Sequence, residues 1–445
     1  MRDTVDDVSS VAGESEPVVP VVALVCVGTR PDVRLFDPTK KLELGRSIVD
    51  DDRVSKEHAT VRFERGAWVI ADRGSRNGTF VDGERITSEV RAHGTVVVRI
   101  GHSVFLLVPD GRGYAEALHD TGEHVVGPEL ARLHAQVKRH GASPTLLVHG
   151  ESGSGKELVA RLYHLSGPRA DGPFVAVNCA AIPEGVAERL LFGARKGAFS
   201  GAQDAPGYLQ SADRGTLFLD EIADLDPAVQ AKLLRAIETR EVMAVGATAP
   251  VTIDIGIVAA SHTELRAAVA AKSFREDLYY RLARAVVHLP PLRTRKLDIA
   301  RLVVREIAAV DRKLAAHARL IETCCVRPWP GNVRELRAAI HQAALAALDT
   351  GRDVVRPEDL PQGAGLPLDA PVAVATSAER SGPAPAATPA SIDKPAILAA
   401  LEAANGVVSA AARSLGLHRT QLYRLMDKHG IARGEDSKDD PKDGQ

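Results

Sequence analysis

Gly150-Glu151-Ser152-Gly153-Ser154-Gly155-Lys156-Glu157 follows the apolar run Thr145-Leu146-Leu147-Val148-His149 and opens onto a stretch with helical spacing. Glycines in such a loop let backbone N–H groups wrap a phosphate, and the following helix N-terminus adds positive potential. Lys156 is placed to reach the β- and γ-phosphates of a nucleotide. The general phosphate-loop pattern has Ser or Thr after the lysine, whereas this chain has Glu157. Taken alone, the loop therefore also reads as a structural glycine turn. A second element bears on the choice: Thr216-Leu217-Phe218-Leu219-Asp220-Glu221 is an apolar strand ending in two carboxylates. That arrangement suits holding Mg²⁺ and preparing a water for phosphoryl transfer. A strand-end acidic turn is common in isolation, but the two elements in this order, with a strand between them, favour a nucleotide site.

Working outward, strand-like FVAVN, TLFLDE and IDIGIVAAS alternate with helical stretches such as PAVQAKLLRAIE, which predicts an α/β fold with a mostly parallel sheet. Residues 297–350 read as helical only, a small lid. Upstream, short β-branched runs punctuated by turn residues (VVALVCV, HATVRF, AWVIAD, TVVVRI, SVFLLV) predict an all-β sandwich. The predicted organisation is a disordered tail over 1–17, the sandwich over 18–112, a linker over 113–124, the nucleotide domain over 125–362, an Ala/Pro-rich linker over 363–390, a helical domain over 391–432 and an acidic tail over 433–445. With 445 residues at roughly 150 per domain, about three domains are expected. The 45% hydrophobic content excludes wholesale disorder, and Lys+Arg 56 against Asp+Glu 58 leaves no global basic field for nucleic acid. The cysteines (Cys26, Cys179, Cys324, Cys325) make no C-x-x-C pair, so they read as free thiols. The apolar run near residues 18–27 is interrupted by Pro20 and falls short of the roughly 20 residues that span a bilayer, so the expectation is a cytoplasmic chain with no membrane partner.

GESGSGKE, FVAVNCAAI, LFGARKGAFSGA, GTLFLDEI, FREDLYYRL and WPGNVREL occur in that order. Together they resemble the AAA+ domain of the bacterial enhancer-binding proteins that activate sigma-54 RNA polymerase, a family that carries Glu after the phosphate-loop lysine. The resemblance implies ATP and Mg²⁺ as cofactors, the loop Gly150 to Glu157 as the nucleotide cradle, Asp220 as metal ligand and Glu221 as the group that polarises water. It implies that Asn178 is a switch holding the catalytic glutamate until ATP is read. Arg275 and Arg281 match arginine fingers that enter a neighbouring subunit, and Arg334 matches the nucleotide sensor of the lid. Trp329-Pro330-Gly331 reads as a rigid turn. Gly197-Ala198-Phe199-Ser200-Gly201-Ala202 resembles the family's GAFTGA loop, which touches the sigma factor, with Ser200 keeping the hydroxyl of Thr. Three departures stand out: Arg195 where Glu is common, Ala244 where Arg is common, and His262 where Asn is usual.

In the sandwich, Leu44-Gly45-Arg46, Val54-Ser55-Lys56-Glu57-His58 and Ser75-Arg76-Asn77-Gly78-Thr79 fall on loops between predicted strands. A guanidinium, a hydroxyl and an amide converging on one rim suit a phosphate and its neighbouring backbone. The spacing resembles a forkhead-associated (FHA) domain. This implies phosphothreonine recognition, with Arg46 and Ser55 on the phosphate, Lys56 and Arg76 nearby, and Asn77 on the peptide backbone. His58 reads as a brace for the loop and Gly78 as a turn residue. The ligand is then a phosphorylated partner or the chain's own tail, where Thr4, Ser9, Ser10 and Ser15 are candidates.

Helices are predicted over residues 395–404, 408–415 and 419–429, with Leu415-Gly416-Leu417 as the tight turn of a helix-turn-helix. Arg419, Thr420, Arg424 and Lys428 fall opposite the apolar positions, where they could contact DNA. Over 391–432 five basic residues meet three acidic ones, a modest excess that leaves a protein-docking bundle open. AARSLGLHRTQLYRLMDKHGI resembles the Fis-type DNA-binding domains that end the same family. The resemblance as a whole implies an ATP-hydrolysing activator working on sigma-54 RNA polymerase from upstream DNA, assembled as a homo-oligomeric ring of hexamer type and as dimers when inactive. A phosphopeptide-reading DNA-binding scaffold with little or no ATP turnover is the alternative.

Overall fold

The computed structural model describes residues 22–27, 32–114, 127–183, 185–198, 203–367, 369 and 394–403, together with 422, 426, 429 and 431. The chain divides into two units, Met1–Val372 and Ala373–Gln445.

Ten strands form an antiparallel sandwich at the start of the first unit. One sheet runs in the order β2 (Asp32–Phe36), β1 (Val22–Val27), β10 (Ser103–Val108), β9 (Val96–Ile100), β6 (Thr79–Val81), β7 (Glu84–Arg85). The other is β3 (Leu42–Leu44), β4 (Ala59–Glu64), β5 (Ala67–Asp72), β8 (Val90–His93). Trp68, Ile70, Phe105 and Leu107 fill the space between them. Each such side chain removed from water contributes about 1.5–3 kcal/mol, and the Trp68 indole N–H is satisfied by the Gly94 carbonyl at 2.9 Å.

The next segment is a five-stranded parallel sheet in the order β12 (Phe174–Asn178), β13 (Thr216–Asp220), β16 (Gly256–Ser261), β11 (Thr145–His149), β17 (Val286–His288). Its strands are apolar on both faces because helices cover both: α1 (Pro128–Arg139) and α2 (Lys156–Ser166) on one side, α5 (Pro227–Thr239) and α7 (Glu276–Leu282) on the other. The short helices α3 (Ala187–Phe192), α4 (Tyr208–Ser211) and α6 (Leu265–Ala270) join these layers, and a hairpin of β14 (Glu241–Val242) and β15 (Val251–Thr252) projects from them.

The lid contains α8 (Lys296–Val310), α9 (Ala318–Val326) and α10 (Asn332–Asp349). It is not helical only: β18 (Ala315–Ala316) pairs in parallel with β19 (Val354–Val355), tying the loop before α9 to the chain after α10. Two-residue strands carry no periodicity for sequence reasoning to detect. Trp329 is also more than a turn residue. It is fully buried among the lid helices, its indole N–H donating to the Cys324 carbonyl at 2.7 Å.

The sandwich rests on this lid. Along β9 and β10, Val96, Val98, Ile100, Phe105 and Leu107 face the sandwich interior, while Val97, Val104, Leu106 and Val108 join Leu297, Ile321 and Cys325 of the lid. Tyr114, in the predicted linker, is buried in the same cluster. In the second unit, α11 (Lys394–Ala403) buries Ile397, and Leu422 and Met426 are buried as well. The other two predicted helices lie largely, and Arg419, Thr420, Arg424 and Lys428 wholly, outside the described residues. Among the described residues no helix is long and apolar enough to cross a membrane, and Cys179, Cys324 and Cys325 are free thiols.

Candidate functional site

The loop 150–155 leaves β11 and enters α2. Gly153 has φ +72° and sits so close to the lid that a Cβ there would lie 2.4 Å from the Gly331 carbonyl oxygen. Only glycine permits this approach of loop to lid. Lys156 opens α2 and is 6% exposed; its Nζ donates to the Gly150 carbonyl at 3.2 Å and to Glu221 Oε1 at 3.0 Å. Glu221 follows β13 in the left-handed region at φ +51°, which turns its carboxylate toward the loop. Its other oxygen, Oε2, accepts from the His262 backbone N–H at 3.2 Å and lies 2.6 Å from His262 Nδ1. Burial pushes the Glu221 carboxyl up, but the bonds from His262 and Lys156 outweigh it and hold the group below the usual carboxylate range. Asp220 behaves in the opposite way: burial and the neighbouring Glu221 hold it above that range against the pull of Lys156.

Asn178 does not hold Glu221 in this structure. Its Oδ1 accepts from the Ala180 backbone N–H at 3.0 Å, capping a short 3₁₀ turn at the end of β12. Lys156 and His262 occupy the glutamate instead.

The lid grips the loop at several points. Arg293 bonds both oxygens of Glu151 at 2.8 and 2.9 Å, and Asn332 Nδ2 donates to Glu151 Oε2 and to the Ser152 carbonyl, each at 3.0 Å. Arg334 Nη1 reaches Ser152 Oγ at 3.3 Å. Sequence reasoning missed Arg293 and Asn332; their only local signal is that Arg293 just precedes the lid's first helix and Asn332 begins its last.

Arg275 precedes α7 and is exposed, its guanidinium paired with Asp277 at 2.7 Å; Arg281 lies one and a half turns on, beside the exposed Tyr280. The stem of the glycine-flanked loop is pinned by isolated bridges from Ala194 to Ala205 and to Val245, and the Arg195 backbone N–H donates to the Val245 carbonyl at 2.9 Å. Arg195 Nη1 lies 3.7 Å from Asp204. Gly197 and Ala198 end this stem, while Phe199, Ser200, Gly201 and Ala202 lie outside the described residues.

On the sandwich, two loops meet at one rim. Gly45 opens the long loop between β3 and β4 and lies so close to the other end of that loop that a Cβ would sit 2.1 Å from the Lys56 carbonyl oxygen. Arg46 Nε donates to the Val54 carbonyl at 2.7 Å, the Arg76 backbone N–H to Ser55 Oγ at 3.4 Å, and Asn77 Nδ2 to the Arg53 carbonyl at 2.6 Å. Lys56, Arg76 and Asn77 are exposed. Beneath them His58 is fully buried, with Nδ1 accepting from the Ser55 N–H at 3.0 Å and Nε2 3.1 Å from the Gly78 carbonyl. The carbonyl can only accept, so the ring proton belongs on Nε2.

Comparison with known proteins identifies the segments one by one. Residues 42–101 match the FHA domain, 126–288 the sigma-54 interaction domain, 293–365 an AAA+ ATPase lid domain and 388–429 the bacterial regulatory proteins of the Fis family. The acetoin catabolism regulatory protein of Cupriavidus necator is 42% identical over 299 residues, covering 64% of this chain and 43% of that protein. Transcriptional regulatory protein ZraR of Klebsiella oxytoca is 42% identical over 293 residues, covering 64% of this chain and 63% of its own. The chain thus spans between about two fifths and two thirds of the length of these relatives. Among solved structures, NtrX from Brucella abortus in complex with ATP superposes with a TM-score of 0.51 at 28% identity, covering 70% of each chain. An FHA domain, a sigma-54 interaction domain, its AAA+ lid and a Fis-type regulatory domain therefore follow one another along this chain, in the order its sequence predicts.

Proposed function

We propose that the chain hydrolyses ATP to remodel sigma-54 RNA polymerase for promoter opening, under the control of phosphothreonine recognition by its N-terminal sandwich. The observation that carries this reading is the convergence of Lys156, Asp220, Glu221 and His262 beneath a lid that already touches the phosphate loop. Lys156 and the loop N–H groups bind the phosphates. Asp220 fits a Mg²⁺ ion: magnesium takes one or two carboxylates plus substrate phosphates, and Asp220 is a half-buried carboxylate whose ionised form lacks full compensation within the chain. Such an ion would neutralise charge on the β- and γ-phosphates. When phosphates draw Lys156 away, Glu221 Oε1 is released to accept a proton from water, while His262 keeps Oε2 in place. Arg275 and Arg281 act in a neighbouring subunit's site, which makes hydrolysis depend on a ring, and Arg334 senses the nucleotide from the lid. That NtrX was solved with ATP bound supports the nucleotide assignment.

In the same reading, Phe199 and Ser200 contact the sigma factor. Arg46, Ser55, Lys56, Arg76 and Asn77 hold a phosphothreonine segment, and Arg419, Thr420, Arg424 and Lys428 hold upstream DNA. Domain limits follow the predicted ones, 18–112, 125–362 and 391–432. The test is phosphate release by the full chain with Mg²⁺ and ATP as protein concentration rises, with capture of sigma-54 in the presence of an ADP–metal fluoride. Turnover that rises more than linearly and is lost in Glu221→Gln is expected. No phosphate release and no sigma-54 capture would leave a phosphopeptide-reading DNA-binding scaffold.

A further inference from the structure

Two adjacent residues at the start of α8 hold different parts of the molecule. Arg295, 2% exposed, donates from Nη2 to the carbonyl of Ser154, inside the phosphate loop, at 3.2 Å. Its Nη1 lies 3.6 Å from the equally buried Asp298, one turn along. Lys296 faces the sandwich, its Nζ 3.3 Å from Asp82 Oδ1, and that same oxygen accepts the Val97 N–H at 3.0 Å. The backbone carbonyl of Lys296 accepts from the Cys325 thiol of α9. Three residues back along α9, Glu322 pairs with Arg99 of β9 at 2.5 Å, the two side chains 5% and 10% exposed, and the Arg99 guanidinium stacks 3.7 Å over the Phe80 ring.

A charged donor held in a dry interior binds a carbonyl more strongly than it would in water. The carbonyl it binds sets the path of the backbone immediately before Gly155 and Lys156. One helical turn is stiff, so Lys296 cannot shift without moving Arg295. We propose that Arg295 is a positioning residue for the phosphate loop, and that the sandwich holds it in register through Asp82–Lys296 and Arg99–Glu322. Nucleotide affinity is then coupled to the seating of the sandwich on the lid. By reciprocity, nucleotide must affect that seating to the same degree. The inference rests on reading 150–157 as the nucleotide loop; it does not depend on what the sandwich binds.

The experiment uses the full chain and equilibrium titration with a fluorescent, non-hydrolysable ATP analogue. Arg295→Met alone would strand the Asp298 carboxylate, so Arg295→Met/Asp298→Asn is compared with Asp298→Asn. About tenfold weaker binding is expected, the loss of one charged hydrogen bond. Lys296→Met, and separately Arg99→Met/Glu322→Met, should each weaken binding about threefold although neither touches the loop; apolar replacement of a buried ion pair usually spares the fold. Backbone hydrogen exchange across 150–157 without nucleotide is the second readout, and all these variants should exchange faster there than their references. Unchanged affinity and unchanged exchange in the Arg295 double variant overturn the positioning role. The same result in both seam variants overturns the coupling. A wild-type chain that fails to bind the analogue, with loop exchange responding as stated, instead marks failure of the nucleotide reading.

Discussion

Lys156 and Glu221 form an ion pair across 65 residues of chain, Nζ to Oε1 at 3.0 Å, with the two side chains 6% and 15% exposed. The lysine proposed to bind phosphate is thereby engaged by the carboxylate proposed to activate water. A phosphate drawn to Lys156 is expected to compete with that carboxylate for the ammonium, which offsets part of its attraction.

Glu221→Gln should therefore separate binding from chemistry. The amide keeps the shape but frees Lys156 from its counter-charge, so ATP affinity should stay level or tighten severalfold. Loss of a positioned base costs about 10²–10⁴ in rate. Equilibrium binding and phosphate release on the same sample check both halves. Weaker binding by Glu221→Gln would show that the pair does not compete with phosphate.

His262 is the other group on that carboxylate, 2.6 Å from Oε2 through Nδ1 and aided by its own backbone N–H. Because the backbone bond survives any substitution, removal of the ring should loosen Glu221 rather than release it. His262→Ala should lower kcat about tenfold, the worth of one hydrogen bond to a charged group, and leave ATP affinity unchanged. His262→Asn, whose side-chain amide can stand near the Nδ1 position, should recover most of the rate. Equal losses in both variants would count against this positioning.

The sandwich rim makes a separate pair of expectations. Arg46 is exposed and bonds only carbonyls of its own loop, so Arg46→Ala should abolish binding of a phosphothreonine peptide library while costing about 1 kcal/mol or less in stability. His58→Leu is the converse. It strands the Ser55 N–H and the Gly78 carbonyl inside the sandwich, at about 1–3 kcal/mol for each, so thermal unfolding of the sandwich should shift clearly downward. Peptide arrays and melting curves on the two variants distinguish ligand contact from brace.

Much of this site was readable in sequence because its signals are local. Glycines at 150, 153 and 155 announce a loop that must approach other backbone, and Asp220-Glu221 end a strand whose apolar run is unmistakable. The sandwich strands were legible from their punctuation. What joins them was not. The pairing of Glu221 with His262 instead of Asn178 depends on a left-handed turn at Glu221 and a cap at Asn178, neither of which any periodicity encodes. The seat of the sandwich on the lid left one trace: VVVRI and SVFLLV lack the polar alternation of a one-sided sheet, and both of their faces are covered. That pattern says an outer face is buried without saying by what. Arg295 and Lys296 carried no signal, since a basic pair at a helix start reads as solvated surface.

Asp298 gives a pH-dependent expectation. Burial pushes its carboxyl up to about 7, with Glu129 adding to the effect and Arg295 opposing it. In the unfolded chain the same group titrates near 4. Between those values the folded chain keeps a proton that the unfolded chain releases. The resulting stabilisation is complete below about pH 4 and is lost as pH rises through about 7. Asp298→Asn has no proton to lose. Denaturant unfolding at pH 5, 6, 7 and 8 should show wild type losing ground to Asp298→Asn by up to about 1.4 kcal/mol per pH unit, levelling off above pH 7. A difference that stays flat across the series would mean that Arg295 already keeps Asp298 ionised in the fold. The pair would then be a fixed ionic joint at the base of the phosphate loop, and the variant should cost stability at every pH.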